Sequence, residues 1–202
     1  MSMKKKLNQG LWPVLILTLI CMISTALLAL TSEVTRDARA AQEEAAQMAS
    51  KQKLFPEAEK FEAREDLLRP EDADKILSLE KVMNKDGSEG GWLLLSQSRG
   101  YGGQVPVYIA FDANGAVSGL DLPANDETPG LGQRVHEEAF YSQFVNDDPG
   151  VRFYAKTEGK DTDVTWTKID AVSAATISSN AVCTAVNQAR AFYAAVLAME
   201  QK

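Results

Sequence analysis

Leu11 to Leu30 is a run of twenty residues without a formal charge, and it constrains this chain more than any other feature. As a helix rising about 1.5 Å per residue, it reaches roughly 30 Å, the thickness of a bilayer's hydrocarbon core. Lys4, Lys5 and Lys6 precede it. The positive-inside rule then keeps residues 1–10 in the cytoplasm and carries everything after the span across the membrane. Pro13 falls in the first turn of such a helix, where a missing backbone N–H costs little, and Trp12 sits where an aromatic interface anchor would. A cleaved signal peptide is the alternative, because Ala38-Arg39-Ala40 has small-x-small spacing. That site lies eight residues beyond Leu30, and the apolar run exceeds the 7–15 residues of a signal core. The expectation is a retained anchor over 11–30.

The charges divide on either side of that span. Of 21 basic and 28 acidic residues, three lysines lie before it and every acid lies after it, so the part beyond the anchor carries a net charge of −10. Such a balance argues against a nucleic-acid partner, whose phosphates call for a Lys/Arg face. One histidine and two cysteines exclude a four-ligand zinc site, a C-x-x-C-H haem attachment and a ferredoxin-type cysteine run. Cys21 lies inside the span and Cys183 outside it, so they cannot pair within one chain. Any redox centre must come from a cofactor that these side chains do not ligate. No metal site and no catalytic residue is expected.

Glu33 to Lys53 is rich in Ala, Glu, Gln and Lys without Gly or Pro, which favours a helix ended by Pro56. Its apolar content is mostly alanine, so residues 31–75 read as a membrane-proximal helical connector, with only a weak helix-or-loop signal over 57–75. From Ile76 the pattern turns to strands. Ile76–Met83, Trp92–Ser98, Val105–Phe111 and Val117–Leu122 are separated by the turn residues Lys85-Asp86-Gly87, Gly90-Gly91 and Asn114-Gly115. Pro106 places its strand on an edge or at its own start. Glu137–Val145 reads as a short helix, and Val151–Ala155 and Val164–Ile169 as further strands. Val182, Val186, Ala189, Tyr193 and Val196 recur at steps of four and three, the stripe of an amphipathic helix over about 177–199. Residues 76–202 are therefore expected to form one α+β domain of antiparallel sheet with flanking helices.

Three loops hold the candidate chemistry. Gly100-Tyr101-Gly102-Gly103 allows a tight backbone path, which suits either a turn or close approach to a ligand. Glu127-Thr128-Pro129-Gly130-Leu131-Gly132 contains a Pro-Gly pair that favours a type II turn, and it is either an ordinary loop or a fixed presentation of Glu127, Thr128 and Leu131. Asp170-Ala171-Val172-Ser173-Ala174-Ala175-Thr176 opens the last helix. Ser173 is the expected N-cap and Thr176 lies in the first turn, where orphan N–H groups and the dipole suit a phosphate. Plain capping is the alternative. His136 reads as a solvated or capping residue, and Cys183 as a buried free thiol.

Taken in order, Gly-Tyr-Gly-Gly, Glu-Thr-Pro-Gly-Leu-Gly and Asp-Ala-Val-Ser-Ala-Ala-Thr resemble the FMN-binding domain of a membrane flavoprotein family. That family includes the G subunit of the Rnf electron-transport complex and the C subunit of the sodium-pumping NADH:quinone reductase. Chain length favours the Rnf member. The resemblance implies a bacterial inner-membrane protein with one membrane helix and a periplasmic domain. It also implies FMN joined through a phosphoester to Thr176. A flavin transferase would recognise Asp170, Ser173 and Thr176, and Glu127, Thr128, Leu131, Gly132, Tyr101, Ser173 and Ala175 would lie beside the cofactor. Tyr101 would stack on the flavin ring or fill the core. The implied partners are other Rnf subunits, among them a second flavin-bearing membrane subunit, the transferase during maturation, and membrane lipid. The implied function is electron carriage within a complex coupling ferredoxin and NAD redox chemistry to ion movement. Ala174 departs from the family's usual glycine, which matters if that residue needs a positive φ. A quinone-reductase subunit and a cofactor-free anchored adapter are the rival readings.

Overall fold

The computed structural model describes residues 2–145, 151–155 and 166–200, with side chains from Leu11 onward. The chain divides into two compact units, Met1–Ala46 and Gln47–Lys202.

The first unit is helical throughout. Helix α1 runs Ser2–Leu54, so the expected anchor and connector helices are one continuous element. It is the single helix among the described residues that is long and apolar enough to cross a membrane. Because it begins at Ser2, Pro13 lies in its interior and not in its first turn. The hydroxyls of Thr18, Thr31 and Thr35 donate to the carbonyls of Val14, Leu27 and Thr31 at 2.8–2.9 Å. Such back-bonding gives each hydroxyl a partner within the helix itself.

The second unit is built on a five-stranded antiparallel meander, β1 (Ala58–Ala63), β2 (Ile76–Asn84), β3 (Glu89–Arg99), β4 (Gln104–Phe111) and β5 (Val117–Asp121), in that spatial order. Four of these strands match the sequence expectation. The fifth, β1, arises inside the stretch expected to be connector. It pairs along β2, with Phe61 opposite Val82, while Glu59, Lys60 and Glu62 decorate its edge. Charges on an edge strand discourage pairing with other chains, and here they also hide the strand's apolar alternation. The connector expected over 31–75 is thus helical only to Leu54, and the compact unit already begins at Gln47.

Strands β3 and β4 are covered on both faces, which explains their unbroken apolar runs. Trp92, Leu94, Val107, Ile109 and Phe111 face the larger core, together with Val182, Val186 and Ala189 of the last long helix. Leu93, Tyr108 and Ala110 face a smaller cluster built on Phe55, Val82 and the neighbouring Leu54 and Phe61. The C-terminal turns of α1 are pinned there by two ion pairs, Lys51 to Glu80 and Lys53 to Asp121, each at 2.6 Å. Pro106 pairs with Gln97 of β3, but β5 reaches only as far as Tyr108, so the proline occupies a local edge.

After β5 the chain forms a 3₁₀ turn (Gly132–His136), a short helix α2 (Glu138–Tyr141) and a second 3₁₀ turn (Ser142–Phe144). Strands β6 (Arg152–Tyr154) and β7 (Trp166–Lys168) pair in parallel as a separate two-stranded sheet. This parallel pair is an addition to the antiparallel design read from the sequence. Residues 164 and 165 of the strand expected over Val164–Ile169 lie outside the described residues. Helix α3 runs Thr176–Phe192, followed by a π-helical turn Tyr193–Leu197 and a last turn α4 (Ala198–Glu200). The wider turn delays the buried face by one residue: Leu197 is fully buried where the periodicity pointed to Val196, which is half-buried.

Candidate functional site

The three loops singled out in the sequence meet at one pocket of about 540 Å³, lined by Tyr101, Glu127, Thr128, Leu131, Gly132 and residues 174–178. Its floor is organised by a buried carboxylate. Glu127 is 1 % exposed, and its Oε1 accepts the Gly102 N–H at 2.9 Å while its Oε2 accepts the Ser178 hydroxyl. Glu127 therefore braces the Gly100–Gly103 loop against the first turn of α3, and does not project as a free carboxylate.

That arrangement explains the glycines. A β-carbon at Gly132 would lie 2.5 Å from Glu127 Oε2 and 2.7 Å from Ser178 Oγ, and one at Gly100 would overlap Oε1. The loop's path is set at Gly130, whose φ of 74° follows Pro129 in a turn closed by the Leu131 N–H on the Thr128 carbonyl at 3.1 Å. This is the positive-φ requirement that a Pro-Gly turn meets. Thr128 and Leu131 are left exposed on the rim.

The start of α3 differs from the expectation in one respect. Ser173 is not the N-cap; Ala175 is, and no side chain caps the helix. The helix begins at Thr176, so Ser173 stands three residues upstream in a turn closed by the Ala175 N–H on the Val172 carbonyl at 3.0 Å. Within that turn Ala174 has φ 61°, the region that costs an L-residue about 1–2 kcal/mol and glycine almost nothing. The glycine usual at this position in the resembling family therefore has a backbone reason. The turn is held from inside the helix, where Ser179 Oγ accepts the Val172 N–H at 3.0 Å. From outside, Gln143 receives the Asp170 N–H at 2.8 Å.

Of the residues expected beside a cofactor, Tyr101, Glu127, Thr128, Leu131, Gly132 and Ala175 line the pocket and Ser173 does not; Thr176, the expected attachment residue, lines it, and Asp170, expected for recognition alone, lies outside it. Tyr101 is 73 % exposed, which removes the alternative that it fills the core. Thr176 is exposed as the first residue of a seventeen-residue helix. Ile177 and Ser178 also line the site and were not foreseen, although they continue the small and hydroxyl run that pointed to Thr176. Cys183 is 1 % exposed, and burial pushes its thiol up to about 12, so it is an inert core residue as expected.

The N-cap of α2 is Glu137, and its neighbour His136 is only partly solvated. It is half-buried, with Nε2 3.0 Å from Asn125 Nδ2, and Asn125 Oδ1 in turn accepts the Glu127 N–H at 3.1 Å. Burial lowers its pKa from the ordinary histidine value, against the opposing pull of a hydrogen bond to the Leu122 backbone and the charge of Asp121.

The pocket suits a phosphate-bearing cofactor. Its size falls within the range of small-molecule sites, its lining combines apolar faces with few polar groups, and it contains an uncapped helix start whose N–H donors favour an anion. Comparison with known proteins points the same way. Residues 100–191 match the model of the FMN-binding domain, so this part of the chain is similar to that class of flavin-binding proteins. Residues 13–52 match the model of the RnfG N-terminal region. A relative is the G subunit of the Na(+)-translocating ferredoxin:NAD(+) oxidoreductase complex of Acetobacterium woodii, 28 % identical over 194 residues that cover 89 % of each chain. Another is the G subunit of the proton-translocating ferredoxin:NAD(+) oxidoreductase complex of Clostridium ljungdahlii, 27 % identical over 176 residues, covering 86 % of this chain and 85 % of that one. Among solved structures, the C subunit of the Na(+)-translocating NADH-quinone reductase of Parabacteroides distasonis aligns with a TM-score of 0.45 at 22 % identity, over 58 % of this chain and 61 % of that one.

Proposed function

We propose that this chain is an electron-carrying subunit of a membrane-bound, ion-translocating ferredoxin:NAD oxidoreductase complex, with FMN held through a phosphoester on Thr176. One observation carries the reading: Thr176 is the exposed first residue of a long, uncapped helix and lines the same pocket as Glu127, Thr128 and Leu131. A phosphate joined to the Thr176 oxygen would lie at the positive end of α3, near the orphan N–H groups of its first turn. Covalent attachment removes the need for a deep pocket, and an open site leaves the cofactor within reach of a redox partner. FMN itself would supply the electron-transfer chemistry. This chain's residues do the rest: Glu127 fixes the floor, Gly100 and Gly132 make room for it, and Tyr101, Leu131 and Ile177 offer apolar surface at the rim.

Asp170 and Ser173 are exposed on the approach to Thr176, as recognition by a flavin transferase requires. The Lys4–Lys6 cluster before the apolar helix supports a cytoplasmic N-terminus and an exported domain. The partners in this reading are the remaining subunits of the complex, including a second flavin-bearing one, and the surrounding lipid.

Intact mass with peptide mapping tests the proposal. Co-produced with a flavin transferase, the full chain should gain one FMN less one water on the peptide containing Thr176, and it should fluoresce in a denaturing gel. Thr176→Val should abolish both signals. A wild-type chain without the adduct would favour a cofactor-free adapter, and a Thr176→Val chain that kept it would move the attachment site elsewhere.

A further inference from the structure

Asn125 sits between His136 and Glu127, and its amide can satisfy both in only one orientation. Its Oδ1 accepts the Glu127 N–H at 3.1 Å, so the group turned toward His136 Nε2, 3.0 Å away, is the NH₂. An amide NH₂ only donates. His136 Nε2 must then be a bare acceptor, and the ring is neutral, with its remaining proton on Nδ1. We propose that His136 is a positioning residue for the pocket: its unprotonated Nε2 holds Asn125, Asn125 holds the Glu127 backbone, and a proton taken up by His136 loosens the floor.

Protonation sets two donors against each other at 3.0 Å. Asn125 can escape only by turning its oxygen toward His136, which takes that oxygen away from the Glu127 N–H. Glu127 is the residue that joins the Gly102 amide to the Ser178 hydroxyl, so the disturbance passes directly to two walls of the pocket. The charges around His136 are already committed. Asp121, at the end of β5, is paired with Lys53 of α1 at 2.6 Å, and Lys53 also donates to Tyr141 of α2 at 3.4 Å. On its own turn, Arg134 is paired with Glu137 at 2.8 Å, and Asp126 of the neighbouring loop is exposed. The direction of the His136 shift agrees with a ring held neutral.

Protons have their own approach. His136 lines a second cavity of about 420 Å³ with Leu122, Ala124, Asn125 and Gln133, and none of these residues lines the pocket at Thr176. The pH sensor and the cofactor site therefore open to solvent separately, and Asn125 and Glu127 form a hydrogen-bonded path between them.

The inference rests on reading the Thr176 pocket as a cofactor site, but its test needs no cofactor. Tyr101-Gly102 is the only Tyr-Gly pair in the sequence, so ¹³C-carbonyl tyrosine with ¹⁵N-glycine selects the Gly102 amide of the full chain in detergent micelles. Between pH 8 and 5 that signal should move in a single transition with its midpoint below about 6.5. In His136→Gln, whose side-chain oxygen still accepts from Asn125, the transition should vanish, and amide exchange at about pH 7.5 should stay within about twofold of wild type. In His136→Ala, Gly102 exchange should be about tenfold faster, the size of one lost hydrogen bond. A Gly102 signal that ignores pH in the wild type, or that titrates unchanged in His136→Gln, overturns the proposal. Absence of flavin from Thr176 would overturn the cofactor reading and leave this coupling standing.

Discussion

Ser178, two residues into α3, donates its hydroxyl to Glu127, a carboxylate buried under the loop that joins β5 to the 3₁₀ turn. The two residues are 51 positions apart in sequence, and their contact closes the pocket floor. Among the described residues no basic side chain pairs with Glu127, and a buried carboxylate so placed depends on each donor it has.

Glu127→Ala should therefore destabilise the domain by about 1–3 kcal/mol, since it strands the Ser178 hydroxyl and the Gly102 N–H. Glu127→Gln should cost less, because one amide oxygen still accepts. Urea unfolding of the two variants beside wild type measures the difference; equal costs would mean that one remaining oxygen recovers nothing and both are needed.

The glycines around Glu127 separate cleanly by available space. Gly132→Ala and Gly100→Ala push a methyl group into the carboxylate and should each cost about 1–3 kcal/mol. Gly103→Ala meets nothing nearer than 3.8 Å and should stay within about 0.5 kcal/mol of wild type. Denaturant midpoints for all three variants check this ordering.

Ala174→Gly should raise stability by about 0.5 kcal/mol. Relief of the 61° backbone is worth about 1–2 kcal/mol, and the greater freedom of an unfolded glycine takes back roughly 0.5–1. A lowered melting temperature would show that the methyl group packs usefully. Flavin loading of this variant, read by intact mass, should equal or exceed that of wild type.

Cys183 predicts a loss of stability in alkali. Its folded pKa is raised to about 12 from an ordinary 9.0, so its contribution is complete below pH 9 and declines as pH rises from 9 toward 12. The stability gap between wild type and Cys183→Ala should narrow between about pH 8 and pH 10.5. The same burial should protect Cys183 from maleimide until the domain unfolds.

Much of this architecture is legible from the residues, and most of the exceptions involve partners distant in sequence. Four strands of the meander announced themselves because β-branched and aromatic runs ended at glycine-containing turns. Strand β1 did not, because Glu59, Lys60 and Glu62 on a solvent-facing edge leave Phe61 as its main apolar signal. The pairing of β6 with β7 is non-local and has no sequence mark. At the site, the hydroxyl run led to Thr176 and the Pro-Gly turn to Glu127. The error over Ser173 came from treating capping as a matter of residue type, when the left-handed Ala174 moves the helix start past it. His136 reads as solvated because it stands beside the charged Glu137 and Glu138, whereas its partner Asn125 lies eleven residues away. For β1, the β6–β7 pair and His136, a contact across the fold overrode what the local sequence indicated.

The π turn at Tyr193–Leu197 bears on how this helix can vary in length. Such a turn accommodates one residue more than the α turn it replaces, and here the surplus falls beside Ala194 and Ala195, both exposed. Upstream, Tyr193 stays stacked on Phe111 at 4.9 Å; downstream, Leu197 reaches the core. The helix thus has one place where a residue can be gained or dropped without unseating either neighbour. A relative one residue shorter at this point would bring the same leucine home through an ordinary α turn, whereas a deletion between Val182 and Ala189 would rotate the core-facing stripe away from the sheet.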